Sequence, residues 1–441
     1  MQVDLLKDPP RKLFFQYLIP SVSATMVTSI YVLADSIMIG KGLGEIPIAA
    51  LNLVLPIFNV LFGTGALFGV GGAVLFSVSM GNKDQARARR YFTLACLANA
   101  AFMLFYFICG NLWLELILRF LGATTNTMSF AMDYAKLIIL GTPVFCFSSF
   151  LQAFVRNDQA PRLAMAAVIS GGMMNIFLDW LFIFPLNLGM GGAALATVLG
   201  TTTTCLILCT HFFHKENKMI PLWKNLRFRY IKEIFQYGFS SFFMEISNGI
   251  VIFVFNLQLL RYAGDLGVTV YSILSNSSYV IIALSNGIAQ AAQPIIATNF
   301  GAKLIERIAQ VKACGLRTAA IEGSIFTLLG LAFPLAVVYI FVNPTQPILE
   351  MAPLAVRLYF LCFIGMALNI FYVNYFQATL QSSKALTICA LRGLILCVSL
   401  AFLLPTIPFL GVLGIWLAMP LSETISLLIA IYLAKASAKR A

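Results

Sequence analysis

Twelve stretches of this chain each run for about 20 residues with almost no charge, and that pattern fixes its solvent before anything else. A helix of that length, rising 1.5 Å per residue, crosses the hydrocarbon of a bilayer. The runs centre near residues 25, 63, 102, 141, 174, 202, 248, 285, 327, 366, 396 and 423. They are long and continuous, where the strands of a membrane barrel would be short and alternating. Composition agrees: 60% of the residues are hydrophobic, 10% are charged, and mean hydropathy is +0.90. A soluble domain carries about 25% charged residues. The expected fold is all-α and integral to the membrane. Asp4 and Asp8 precede the first run without a basic region, short core and small-residue cleavage site, so no cleaved signal is read and the first span is expected to be retained.

The net charge of +12 follows topology rather than nucleic-acid binding. Of the 29 Lys and Arg, all but Lys41, Arg119, Lys136, Arg261 and Arg357 fall on one side when the N-terminus, the even-to-odd loops and the C-terminus are placed together. That side includes Lys83, Arg87, Lys215, Lys218, Lys303, Arg307 and Lys439. Cytoplasmic loops carry the excess of Lys and Arg, so both termini are expected in the cytoplasm. The nine Cys are scattered and form no Cys-x-x-Cys pair, and His211 and His214 sit together at one span end. No disulfide framework, structural metal site or organic cofactor is expected.

The chain divides in two. A basic connection, 214–232, separates an N-lobe of spans 1–6 (1–213) from a C-lobe of spans 7–12 (233–441). Motifs recur in order at offsets of 220 to 225. Tyr17 to Ser21 matches Tyr237 to Ser241, and Gly81-Asn-Lys83 to Arg87 matches Gly301-Ala-Lys303 to Arg307. Gln152-Ala153 matches Gln377-Ala378, and Leu188 to Ala196 matches Leu410 to Ala418. An even number of spans per copy makes the repeats parallel, two pseudo-symmetric six-helix lobes able to rock about an axis along the membrane normal.

A carboxylate near the middle of a spanning helix costs about 2.5–3.5 kcal/mol on insertion scales, which marks it as a candidate functional group. Asp35, Asp179 and Glu245 stand out, with Glu322, near Arg317, and Glu423 as weaker candidates. Asn175 and Asp179 share a helix face at i, i+4 spacing, as do Tyr31 and Asp35. Thr197 opens the sixth span after a glycine-rich start. Carboxylate, amide and hydroxyl oxygens together suit a proton or a hard cation. A structural polar network gluing helices is the competing reading. The repeat weighs against it: Asp35, Asp179 and Thr197 correspond to Phe255, the apolar stretch 400–404 and Met419. In the C-lobe, Asn276, Tyr279 and Gln290 lie on one stripe of span 8, and Glu245 and Asn248 on one face of span 7. These are expected to border a wet central cleft. Phe150, Phe154 and Met173 are candidates for an apolar pocket beside it.

These residues resemble the MATE family of multidrug and toxic compound extrusion transporters, in its DinF- and MepA-like bacterial branch. The resemblance spans nearly the whole chain. It rests on Pro20 through Tyr31-Val-Leu-Ala-Asp35-Ser-Ile-Met-Ile-Gly40, Gly81-Asn82 to Arg87, and Gln152-Ala-Phe-Val-Arg156-Asn-Asp158-Gln-Ala-Pro161. Asn175, Asp179, Gly189 to Thr197, and Gln293-Pro294 to Lys303 complete it. It implies secondary active efflux of amphipathic, mostly cationic compounds by H⁺ or Na⁺ antiport. It also implies a coupling-ion site at Asp35, Asn175, Asp179 and Thr197, with a Na⁺, if that is the ion, at Asp35 and Asp179. Pro20 matches the proline associated with bending of the first helix. Glu245 matches an acidic position of NorM-like members, whereas the tenth span offers Asn369 and Asn374 but no acid. The expected setting is a bacterial inner membrane, with lipid and small molecules as partners, no nucleic acid, and the monomer as the working unit.

Two rivals remain. A flippase for lipid-linked precursors would share the two-lobe fold, but calls for a strongly cationic cavity. A membrane enzyme would need paired aspartates at a membrane face or a His-rich site, and neither occurs. No Walker-type phosphate loop is present, so direct ATP coupling is not expected.

Overall fold

The computed structural model describes residues 4–342 and 344–438, so Lys439 lies outside the described residues. Every regular element described is helical. Ten helices are long and apolar enough to cross a bilayer, eleven if the bent pair Thr125–Leu140 and Thr142–Asn157 is one span. The longest, Phe228–Gly301, is itself two spans. As one rod its 74 residues would measure about 110 Å. Gly264, at φ 62° and ψ −157°, breaks it. Beyond that turn the rings of Phe255 and Tyr271 stack 5.1 Å apart, so the chain doubles back.

Twelve spans result. Spans 1–3 are Pro10–Leu43, Glu45–Gly81 and Gln85–Phe120. Span 4 is the pair 125–157, bent by 56° at Gly141. Spans 5 and 6 are Pro161–Ile183 and Gly189–Cys209. Spans 7 and 8 are 228–263 and 265–301, and span 9 is Ile305–Ala332. Span 10 joins Gln346–Phe360 to Cys362–Ala378. Span 11 runs from Ser382–Ala390 through a π turn, Leu391–Ile395, into Leu396–Leu403, and span 12 is Val412–Ala438. The connection between lobes is shorter than 214–232, because helix resumes at Phe228. Its first turns have an apolar face to bury: Ile234 is enclosed, and Tyr230 meets the ring of Tyr91 at 5.1 Å.

The repeat is visible as geometry. Lys83 and Lys303 take matching left-handed conformations, φ 62° and 60°, at the ends of spans 2 and 8. Those ends cross reciprocally. A Cβ on Gly81 would lie 2.0 Å from the Thr298 carbonyl oxygen, and one on Gly301 would lie 2.0 Å from that of Val78. Only glycine permits that approach. Spans 1 and 2 of one lobe thus pack against spans 7 and 8 of the other, with Gly71 on Ile234, Gly238 on Leu67 and Gly287 on Val22.

Polar bonds between the lobes are confined to one end. Arg156 Nη1 donates to Gln290 Oε1 at 2.7 Å. The Tyr91 hydroxyl donates to Glu233, with Arg87 beside it at 3.8 Å. Arg307 Nη2 donates to the carbonyl oxygens of Asp8 (2.6 Å) and Leu5 (3.1 Å), and Asn299 Nδ2 donates to that of Leu5 at 3.1 Å. Among the described residues, all hydrogen bonds from lobe to lobe belong to this set, on the end that bears the basic loops. The lobes are joined there. One cation counted with those loops belongs elsewhere: Arg392 is buried in the π turn midway along span 11.

Candidate functional site

Spans 1, 4, 5 and 6 bring the N-lobe acids together. Gly171 and Gly200 let spans 5 and 6 approach until a Cβ at Gly200 would lie 2.7 Å from that of Asn175. Gly172 lets span 1 lay Tyr31 against span 5, with a Cβ there 3.2 Å from the Tyr31 ring. Asp35 and Asp179 lie close enough for their charges to interact, and Tyr31 senses Asp35 in the same way. Asp179 is 0% exposed, and Asp35, Asn175 and Thr197 are also buried. Asn175 Nδ2 donates to Thr197 Oγ1 at 3.5 Å, and that hydroxyl donates to the Ala193 carbonyl at 3.1 Å. The expected ion-site residues are therefore brought into one place.

The span-4 residue Tyr134 joins them and carried no sequence signal. Its hydroxyl donates to Asp35 Oδ2 at 3.4 Å and lies within electrostatic reach of Asp179. No i, i+4 relation links it to either acid. Its place follows from the bend at Gly141 and from packing against Phe58. Four oxygens at the centre, Asp35 Oδ1, Asn175 Oδ1 and both of Asp179, are enclosed and have no donor. A buried acceptor left unpaired costs about 1–3 kcal/mol, more when charged. Oxygens of this kind can take up a proton or a hard cation.

The second expected group splits. Glu245 packs on span 2, where a Cβ at Gly63 would lie 3.4 Å from its own Cβ, and Tyr279 of span 8 is its electrostatic neighbour. Asn248 and Tyr279 are exposed, and Asn276 and Gln290 half-buried. Of these, Glu245 and Gln290 meet the N-lobe across the seam, at Gly63 and at Arg156. Phe150 and Phe154 do not line it. Both are 0% exposed, with rings 4.8 Å apart, and Phe154 meets Phe92 at 5.1 Å and Phe76 at 5.9 Å. Their i, i+4 faces turn into the N-lobe aromatic core, where more ring area is removed from contact with solvent. Met173 is 66% exposed and lies across span 5 from Asn175 and Asp179, beside Met38, Phe177 and Trp180. It too is outside the acid site. Pro20 is buried within an unbroken helix.

The C-lobe holds a different polar centre. Arg392 grips Glu423 through Nη2 at 2.6 Å and Nε at 3.1 Å, and Asn369 Nδ2 donates to Glu423 Oε2 at 2.7 Å. This acid already has its cation. Glu322 is not paired with the exposed Arg317; it is buried, with Ser285 Oγ 3.0 and 2.9 Å from its two oxygens. Among the described residues no group of three His, Cys, Asp or Glu has the arrangement of a metal cage.

Comparison with known proteins adds an independent line. The MatE family model matches residues 20–181 and 240–403, one stretch in each lobe. The multidrug export protein MepA of Staphylococcus aureus (strain MSSA476) is 25% identical over 402 residues, covering 88% of this chain and 86% of that protein. MepA of Staphylococcus saprophyticus is 28% identical over 284 residues, 64% of this chain and 63% of that one. A solved outward-facing multidrug resistance MATE family transporter of the MOP superfamily superposes with a TM-score of 0.92 at 22% identity, covering 98% and 97% of the two chains. A MATE structure in the bent conformation gives 0.90 at 22% identity, covering 98% and 96%. Twelve spans in two lobes, a family match falling once in each lobe, and relatives aligned along most of their length converge: this multi-pass membrane protein belongs to the MatE family of transporters and is MepA-like.

Proposed function

We propose that the protein exports amphipathic organic compounds, mostly cations, by antiport with H⁺ or Na⁺ through alternating access. The observation that carries this reading is the set of four enclosed acceptor oxygens at Asp35, Asn175 and Asp179 without a donor. A coupling ion supplies the missing positive charge. Tyr134 and Thr197 complete its shell, and Tyr31 holds Asp35 in place. Occupied and empty, the site favours different arrangements of spans 1, 5 and 6, with Pro20 as the point where span 1 yields. Ion and drug are linked through those arrangements, and the linkage is reciprocal.

The drug site belongs to the seam, with Glu245, Asn248, Asn276 and Tyr279 on its C-lobe wall. The basic end of the molecule faces the cytoplasm, with both termini there, in a bacterial inner membrane. Closure at that end corresponds to an outward-facing state. The names of the MepA relatives support drug export, and transport rather than catalysis.

The test is efflux from proteoliposomes with Na⁺ and pH gradients imposed separately. One gradient is expected to drive export in the wild type, and neither in Asp35→Asn or Asp179→Asn. Wild-type rates in both variants would remove the coupling role from this site.

A further inference from the structure

Arg156 is the unexplained charge of the seam. It ends span 4, is 5% exposed, and reaches across to span 8, where Nη1 donates to Gln290 Oε1 at 2.7 Å. Its Nε is enclosed and has no acceptor. Among the described residues no carboxylate pairs with it. Asp158, two residues on, turns away to His211 Nε2 at 2.8 Å and to the Lys218 backbone N–H at 2.9 Å. Glu233 is engaged by Tyr91 and Arg229. A guanidinium enclosed without a counter-charge costs several kcal/mol. A neutral glutamine would make the same contact with Gln290 and bring no charge to bury.

Its position relates it to the seam. Gln290 lies one side of the tight crossing where Gly81 meets Thr298, eight residues or about 12 Å along span 8. Farther from that crossing along the same helix, Asn286 leads towards Tyr279, the neighbour of Glu245. Tyr279 and Gln290 are eleven residues apart, about 16 Å. The seam therefore carries an acid on its wall and a cation at its floor, where the lobes first join.

We propose that Arg156 and Gln290 form a carboxylate subsite for the transported compound, so that among the elongated ammonium-bearing compounds it takes, mostly simple cations, those that also carry a carboxylate bind best, with the ammonium at Glu245 and the carboxylate at Arg156. This rests on the export reading above and names the substrate class of that seam. A guanidinium presents its N–H groups as a fork that matches a carboxylate. The amide of Gln290, whose oxygen accepts from Arg156, carries two more N–H donors. As the lobes part at this end, the Arg156–Gln290 bond opens and both groups become available to one anionic group.

The probe is a fluorescent amphiphile with a quaternary ammonium at one end and a free carboxylate at the other, compared with its methyl ester. Binding is measured without an ion gradient, on purified protein in phosphatidylcholine vesicles. The free acid is expected to bind about tenfold more tightly than the ester, the size of one charge-assisted hydrogen bond. In Arg156→Gln, which retains a side chain able to bond Gln290, the preference disappears while the ester binds as before. Arg156→Lys, which keeps the charge without the fork, retains part of it. Equal binding of acid and ester to the wild type overturns the proposal whatever the variants do, and so does a preference that survives Arg156→Gln. A preference abolished by adding phosphatidylglycerol assigns the site to lipid phosphate and also overturns it. The acid-to-ester ratio is read from binding without an ion gradient, whereas coupling is read from gradient-driven efflux, so a failure of ion coupling and a failure of this subsite are told apart.

Discussion

Replacing Arg392 by Met leaves Glu423 charged, enclosed and held by Asn369 alone. Both partners are buried, at 7% and 0% exposure, and the guanidinium meets the carboxylate through Nη2 at 2.6 Å and Nε at 3.1 Å. Removing one member of such a pair costs about 3–5 kcal/mol, because the remaining charge has lost its partner in a medium that solvates it poorly. Replacing both by apolar residues of similar volume is often neutral or stabilising. Arg392→Met and Glu423→Leu should therefore each lower the apparent melting temperature of the purified protein, and the double variant should recover most of the loss. Asn369 keeps its bond to the Glu423 carbonyl in all of them, at 2.9 Å, so the cycle isolates the charge pair. Thermal unfolding followed by intrinsic fluorescence in one detergent gives the four values. A double variant as unstable as the two single losses added together would refute the coupling. Gradient-driven efflux should persist in the folded double variant, because the proposed ion site lies wholly in the N-lobe.

Binding of a fluorescent cationic dye should respond to pH or to Na⁺ in the wild type and lose that response in Asp179→Asn; a response lost in Glu245→Gln instead would reverse the lobes' roles. Tyr134→Phe removes one hydroxyl from Asp35 and should weaken coupling-ion affinity about tenfold, read from the ion dependence of the same dye, and unchanged affinity would place Tyr134 outside the ion's shell. Gly301→Ala brings a Cβ within 2.0 Å of the Val78 carbonyl, and overpacking of about 1–3 kcal/mol should shift the population roughly 5- to 150-fold away from closure at the basic end. Distances between spin labels at the ends of spans 2 and 8 would lengthen, and an unaltered distribution would count against the crossing as a gate. Phe154→Ala should cost about 3–5 kcal/mol of stability and leave the drug profile as it is, since its ring packs in the core; an altered profile with normal stability would return it to the cleft.

What was legible in the sequence was local. Asn175 and Asp179, or Tyr31 and Asp35, share a face by helical spacing alone, and the repeat singled out the N-lobe because Phe255 and Met419 stand where Asp35 and Thr197 would recur. Tyr134 was invisible, since its place depends on a bend between the halves of span 4 and on helices distant in sequence. Aromatic residues misled for a physical reason. In a membrane chain the same Phe suits lipid, pocket or core, and only packing distinguished Phe150 and Phe154 from a lining. Arg392 escaped because a charge census by loops assigns each cation to the nearest end, whereas its partner Glu423 lies on another span. The turn between spans 7 and 8 rests on one glycine, too small a mark to set its exact geometry, yet two spans are legible there because the apolar runs on either side are each long enough.

The arginine that ends each repeated loop motif holds a neighbour in its own lobe, Tyr91 or Asn299, and also reaches across to the other lobe. Arg87 reaches Glu233 at the start of span 7, and Arg307 reaches the carbonyls of Leu5 and Asp8 before span 1. During synthesis this imposes an order. Residues 5 to 8 leave the ribosome early, yet their partners Asn299 and Arg307 follow some 300 residues later, about 15–60 s at 5–20 residues per second. Through that interval the first segment is made but not fastened, and six inserted helices wait with one of their ends unsealed. The same arrangement makes the two halves natural complements: each carries the clasp that the other lacks, so co-expressed fragments divided within 214–227 hold the information to find one another in the bilayer.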